Sequence, residues 1–321
     1  MFDENNKHLR LTWAPSESFG ATAFKNKDAE NYEVRLTYGV AISVYRDAAQ
    51  MLNMLSKAHM IFDSLNLGGH TPIITKRPQI KLEKIFSNIW KYPLQWLFYH
   101  EIGHMIESHH QLSDAEKFVI NDGEFIGLCI SDRSVSELSS EEALVSQVLE
   151  ISADFQGFRF LIRQLAAEKA NDSEIIEELD IWALLVGVAC LFYHFYEIGS
   201  KKYHNKSREN ASHPAPDVRL QFFLSNMVNA ITDPAYIKVI PWAKNKNHVN
   251  HILEHAWTFA SSYWNDFYEE KNIMPEMFVK GGDIDSNSKE IIKIKEKWKE
   301  LRPLIAAGIF KGVSTGPMDF G

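Results

Sequence analysis

The stretch Ile181 to Tyr196 constrains the fold more than any other part of this chain. Its sixteen residues are apolar apart from His194, and Asp180 and Glu197 close it at either end. Such a run must be surrounded by protein or by lipid. Crossing a bilayer takes about 20 apolar residues. This run is shorter and its flanks are acidic, so it is expected as a helix in the core of the fold.

A buried helix needs a core around it, and the composition supplies one. Of 321 residues, 45% are hydrophobic and 24% charged, the balance of a globular chain. The length suggests about two domains. With 34 basic and 42 acidic side chains the net charge is −8. No global positive field gathers phosphate backbones, so nucleic acid is not expected as a partner. Cys129 and Cys190 are too few for a disulfide framework and stand in no C-x-x-C pair. The first residues, Met1 to Asn6, are polar and acidic, unlike a signal peptide. The expectation is a cytoplasmic protein without a membrane partner.

Leu9, Leu11 and Trp13 alternate with polar residues, as do Val34, Leu36 and Tyr38, which predicts two strands. A Pro/Ser/Gly-rich stretch separates them. From about Val40 to Leu65 a helical stripe (Val40, Val44, Ala48, Met51, Leu52, Leu55) outlasts the competing alternation. The loop Leu67 to Pro72 ends it. Helices are predicted at Leu82–His109, Glu141–Lys169, Asp172–Tyr203, Pro216–Thr232, Asn247–Lys271 and Ser288–Leu301. The segments Ser113–Ser139 and His204–Pro216 read as irregular, and Gly312–Gly321 as a loose tail. Charges of both signs on Lys289–Glu300 read as a solvated face. The expected fold is α+β and predominantly helical, a small N-terminal sheet on a helical body. Three regions are expected: 1–80, strand and helix; 81–232, the catalytic core; and 233–321, a helical extension.

The chemistry concentrates in His100-Glu101-Ile102-Gly103-His104, an H-E-x-x-H segment. On a helix, residues four apart share a face, so His100 and His104 can offer two imidazoles to one metal ion. Glu101 points along a neighbouring direction, where it can reach a metal-bound water as a general base. A catalytic zinc needs a third protein ligand and an open position. Glu150, on a second helical segment, can supply it as a carboxylate oxygen. Asp154, one turn on, can accept a hydrogen bond from the far nitrogen of a ligand histidine. Further along, His213-Pro214 and Arg219 lie where irregular chain enters a helix. His213 can donate to an oxyanion and Arg219 can stabilise charge nearby, although Pro near a first helical turn needs no functional reason.

The order H-E-x-x-H, E-x-x-x-D, H-P-x-x-x-x-R resembles the gluzincin zinc metallopeptidases, especially the branch of the HtpX and CAAX-prenyl peptidases. It spans Leu94 to Arg219. The resemblance implies a zincin-like body and a Zn2+ ion held by His100, His104 and Glu150. It also implies Glu101 as catalytic base, Asp154 as partner of His100, and His213 and Arg219 as transition-state stabilisers. That branch is usually membrane-embedded with several apolar spans, whereas here at most one borderline run exists. The chain is in that respect similar to the soluble Lit-type phage-exclusion peptidases. A zinc-dependent endopeptidase acting on a cytoplasmic protein or peptide is therefore expected. The alternative is a catalytically silent zinc-binding sensor or interaction module.

The other histidines have plainer readings. His109 and His110 suit a helix end, and His194 a hydrogen-bonded position in the core. His248, His251 and His255 have metal-compatible spacing but no Glu or Cys constellation beside them.

Overall fold

The two alternating stretches form strands that lie side by side. The computed structural model of the chain describes residues 9–26, 32–65, 82–106, 118–119, 125–129, 139–203, 213–214, 216–268 and 284–308. Strand β1 (Leu9–Ala14) pairs in parallel with β3 (Tyr32–Thr37), Leu11 beside Val34 and Trp13 beside Leu36. Between them in sequence is β2 (Ala21–Asn26), which joins the other edge of β3 in the antiparallel sense. It was not expected. Its core-facing residues, Ala21 and Ala23, are too small to mark an alternation. Beyond β2 run β5 (Phe125–Cys129) and then β4 (Phe118–Val119), giving the order β1-β3-β2-β5-β4. Both lie within the segment expected to be irregular. Strands of five and two residues are too short to show a period of two.

Helix α1 (Tyr38–Leu65) follows β3 directly, and its buried stripe is Val40, Val44, Ala48, Met51 and Leu55. Helix α2 (Leu82–Ile106) runs through Pro93 without a break. Pro93 cannot donate to the Ile89 carbonyl one turn back, and Gly187 packs against that point. A Cβ at 187 would stand 2.3 Å from Pro93 Cγ and 2.8 Å from the Ile89 oxygen. Helix α3 (Ser140–Asn171) opens on a capping box between Ser139 and Glu142. Ser173, with φ 56°, turns the chain, so α4 (Glu178–Tyr203) starts at Glu178 and not at Asp172. Then come α5 (Pro216–Ile231), two 3-10 turns at Pro234–Tyr236 and Pro241–Lys244, α6 (Lys246–Phe267) and α7 (Ile284–Gly308). The fold is predominantly helical α+β.

The apolar run is the axis of the core. Every residue from Ile181 to His194 is buried, and Phe192 meets the Trp96 and Phe223 rings at 5.6 and 5.4 Å. Glu178–Phe195 is long and apolar enough to cross a membrane, yet 83% of it is buried inside the protein. A second cluster lies behind α3. Ile294, Trp298, Leu301 and Ile305 of α7 pack there on Val148, Ile151 and Phe155 of α3 and on Phe222 of α5. The loop Leu67–Pro72, His109, His110 and the tail from Gly312 lie outside the described residues.

Candidate metal centre

Two helices cross where neither carries bulk, and that crossing assembles the site. Gly103 of α2 faces Ala153 of α3, and Gly157 of α3 faces the backbone of His100. On α3, Glu150, Ala153, Asp154 and Gly157 follow an i, i+3, i+4, i+7 stripe, so the small residues and the two carboxylates share one face. On α2, Trp96, His100, Gly103 and His104, at i, i+4, i+7 and i+8, likewise share one face. Trp96 donates from Nε1 to the Asp154 backbone oxygen at 3.3 Å, which ties the helices together beside the site.

His100 Nε2 and His104 Nε2 stand 3.1 Å apart. Glu150 Oε2 is 3.6 Å from His100 Nε2, and Glu150 Oε1 is 3.3 Å from His104 Nε2. Behind the first imidazole, His100 Nδ1 is 2.9 Å from Asp154 Oδ1. Arg219 in the first turns of α5 grips the same carboxylate twice, Nε to Oδ2 at 2.8 Å and Nη2 to Oδ1 at 2.5 Å. Its Nη2 also lies 3.6 Å from Glu150 Oε2. The Phe192 and Phe195 rings of α4 flank the guanidinium at 5.6 and 5.2 Å. His213, just ahead of α5, places Nε2 3.6 Å from Glu150 Oε1 and keeps 19% of its side chain exposed. The other five groups are buried.

Charge is arranged around these groups in a consistent way. Burial opposes a charge on Glu150, but the imidazoles of His213, His104 and His100 outweigh it and hold the carboxyl well below the usual range. Burial likewise opposes ionised Asp154, and Arg219 and His100 overcome it. On His100, burial resists the proton while Asp154 and Glu150 retain it, so the pKa rises to about 9. His213 moves the other way. Burial lowers its pKa, Arg219 and His100 add to this, and Glu150 only partly offsets them. Glu101 stands apart: it is fully buried, and the backbone group that reaches its carboxyl is that of Ala23. Burial pushes its pKa up to about 8; Glu150 reinforces that, and His100, the Ala23 backbone of β2 and Arg219 oppose it.

The donor set fits a metal ion. Nitrogen and oxygen ligands at about 2.0–2.2 Å from a tetrahedral zinc stand roughly 3.3–3.6 Å from each other. Here the two imidazole nitrogens are 3.1 Å apart and Glu150 Oε1 is 3.3 Å from His104 Nε2, and with one donor atom from each residue the three lie within 4.8 Å of one another. Glu150 Oε2 is buried between His100 Nε2 and Arg219 Nη2, 3.6 Å from each, while Oε1 turns to His104 and His213. Among the described residues, His100, His104 and Glu150 are the group of ligating side chains that converges in this way. Six of the seven positions singled out in the sequence fall within this one cluster, and the seventh, Glu101, sits beside it.

The profile of the peptidase U49 family matches residues 70–238, just over half of the chain and every residue of this site. The chain belongs to the peptidase U49 family. No curated protein and no solved structure matches it. Membership makes a protein or peptide the substrate class and gives the buried cluster a hydrolytic context.

Sequence reasoning missed Trp96, Phe192 and Phe195, whose apolar character hides a supporting role, and it missed the two glycines at the crossing. Glycine one residue before His104 and three after Asp154, each inside a strong helix, was the available signal. His194 is a core histidine, with Nε2 2.6 Å from Asp47 Oδ2. The α6 histidines do not converge on a metal. His248 pairs with Glu178 at 3.0 Å, and His255 Nδ1 accepts from Trp182 Nε1 at 3.0 Å.

Proposed function

We propose that the chain is a zinc-dependent endopeptidase that cleaves a cytoplasmic protein substrate through a metal-activated water, with neither nucleic acid nor a membrane as partner. The observation that carries this reading is the convergence of His100, His104 and Glu150 beside a fully buried Glu101. Zinc held by those three ligands supplies Lewis acidity toward the scissile carbonyl and acidifies water at neutral pH.

The chain's own groups divide the remaining work. Glu101 takes the proton of the attacking water and delivers it to the leaving amine. Burial raises the pKa of the Glu101 carboxyl and a cation held by the three ligands would lower it again, which brings the group toward the range where it can both take and return a proton. His213 stays neutral and, being the partly open group, meets the oxyanion; a donor there is worth about 3 kcal/mol. Arg219 was expected to act on the transition state as well. Its bidentate grip on Asp154 supports a different role, in which it holds Asp154 ionised and Asp154 in turn fixes the ring of His100.

The test is elemental analysis of purified wild type, Glu150→Ala and Glu101→Gln, paired with cleavage of a panel of native and unfolded cytoplasmic proteins with and without chelator. The wild type should carry about one zinc per chain and Glu150→Ala none. Glu101→Gln should keep the metal and lose about 10²–10⁴ in turnover. A wild type that takes up no zinc on titration sinks the metallopeptidase reading. Full activity in Glu101→Gln removes Glu101 as base.

A further inference from the structure

Of the ten large hydrophobic side chains exposed among the described residues, six gather on one face: Leu11, Trp13, Tyr38, Ile42, Tyr45 and Trp90. Tyr38, Ile42 and Tyr45 are spaced i, i+4, i+7 along α1, so they form a single stripe, set apart from the buried stripe of Val40, Val44 and Ala48. Ring contacts extend it at both ends. Trp13 of β1 stacks on Tyr38 at 6.2 Å, and Trp90 of α2 meets Tyr45 edge-on at 5.9 Å. Leu11 and Trp13 pair with Val34 and Leu36 of β3 and so lie on the helix side of the sheet, overhanging its end.

Beneath the stripe is a sheet edge. Among the described strands, β1 has β3 on one side and no neighbour on the other. Such an edge presents backbone donors and acceptors that template another strand.

We infer that this face is the contact surface of a homodimer, with β1 of one copy paired antiparallel to β1 of the second. Three arguments choose a second copy as occupant. The first is area. Six mostly aromatic side chains, each about half exposed, offer roughly 600 Å² of mainly apolar surface per copy. That is at or above the upper end of what a lone chain usually shows. With the strand edge added, it approaches the ~800 Å² per partner of a stable interface. The second is self-complementarity. With the two-fold axis at Leu11, Leu11 faces Leu11 of the second copy, Leu9 faces Trp13, and Arg10 faces Thr12. Apolar residues meet on the helix side and no like charges meet on the other. The third is the backbone. Lipid cannot pair the amides and carbonyls of β1, whereas a two-fold copy pairs them and closes the assembly, leaving no edge there for further growth.

Sedimentation velocity on the full chain at micromolar concentration tests this. The expected species has twice the 36.9 kDa of one chain. Ile42→Glu and Trp13→Ser, both at exposed positions, should shift it to monomer with unchanged far-UV circular dichroism. Leu11→Cys checks the register and does not depend on how those variants fold. Facing residues of an antiparallel pair have Cα atoms about 4.5–5.5 Å apart, within disulfide reach. Mild oxidation should therefore link Leu11→Cys into dimers and leave Arg10→Cys largely unlinked. A wild type monomeric throughout overturns the proposal, as does a dimer that survives both surface variants while Leu11→Cys stays unlinked. A monomer that pellets with anionic phosphatidylglycerol vesicles, and stops doing so as Ile42→Glu, also overturns it and assigns the face to lipid.

Discussion

Gly157 lies against His100 with no room for a side chain: a Cβ at position 157 would stand 2.8 Å from the His100 nitrogen and 3.0 Å from its Cα. The histidine face of α2 and the carboxylate face of α3 are thus brought together by a residue that contributes no side chain to either.

Gly157→Ala should therefore act on the site through the backbone. Overpacking at a crossing of this kind costs about 1–3 kcal/mol, and here the displaced atoms carry a ligand. Thermal melting should show the lower stability, and zinc titration against a chromophoric chelator should show weaker binding. Unchanged zinc affinity would mean that the crossing does not set the ligand spacing.

Asp154→Asn is the cleaner probe of ligand orientation. It keeps the shape of the side chain but removes the charge that both His100 Nδ1 and Arg219 approach. Loss of such a partner weakens metal binding about 10–100-fold. The variant should stay folded, and competition titration should register the change.

Arg219→Met leaves Asp154 buried without the guanidinium that grips both its oxygens. Uncompensated buried charge costs about 3–5 kcal/mol, read as a lower urea midpoint. Asp154→Asn combined with Arg219→Met should recover part of that loss, because the stranded charge is gone. If the double variant is as unstable as the sum of the two, the ion pair is not the source of the effect.

The pH dependence of the chelator-treated protein follows from His100. Its pKa is raised in the fold to about 9 from an ordinary 6.5. A raised pKa contributes stability that is fully present below 6.5 and is lost as pH climbs through about 9. The melting temperature in chelator should decline across that interval. Added zinc competes with the same proton, so the stabilisation it brings should grow as pH rises. A chelated protein whose stability is flat from pH 6.5 to 9.5 would contradict the assignment.

How far the sequence reached depends on how local each feature is. His100 and His104 are one turn apart, and helical geometry alone places them on one face. Core burial of Ile181–Tyr193 follows from its length and from the absence of polar residues within it. Glu150 lies 46 residues beyond His104, and no periodicity links the two; it was singled out because a zinc site needs a third ligand, and the resemblance to a known peptidase pattern agreed. Strands β2, β4 and β5 were not readable, because alanines at 21 and 23 and runs of two and five residues carry no alternation above background.

The sequence by itself determined the predominantly helical α+β class, the central buried helix and the pair of histidines, because each depends on residues within a few turns of one another. Only the tertiary structure decided that Arg219 spends its charge on Asp154, that Gly157 lets α3 close on His100, and that six apolar side chains from three elements share one exposed face. Those relationships join positions tens of residues apart in the chain, and the packing of α3 on α2 and α5, and of α1 on α2, is what brings such positions together.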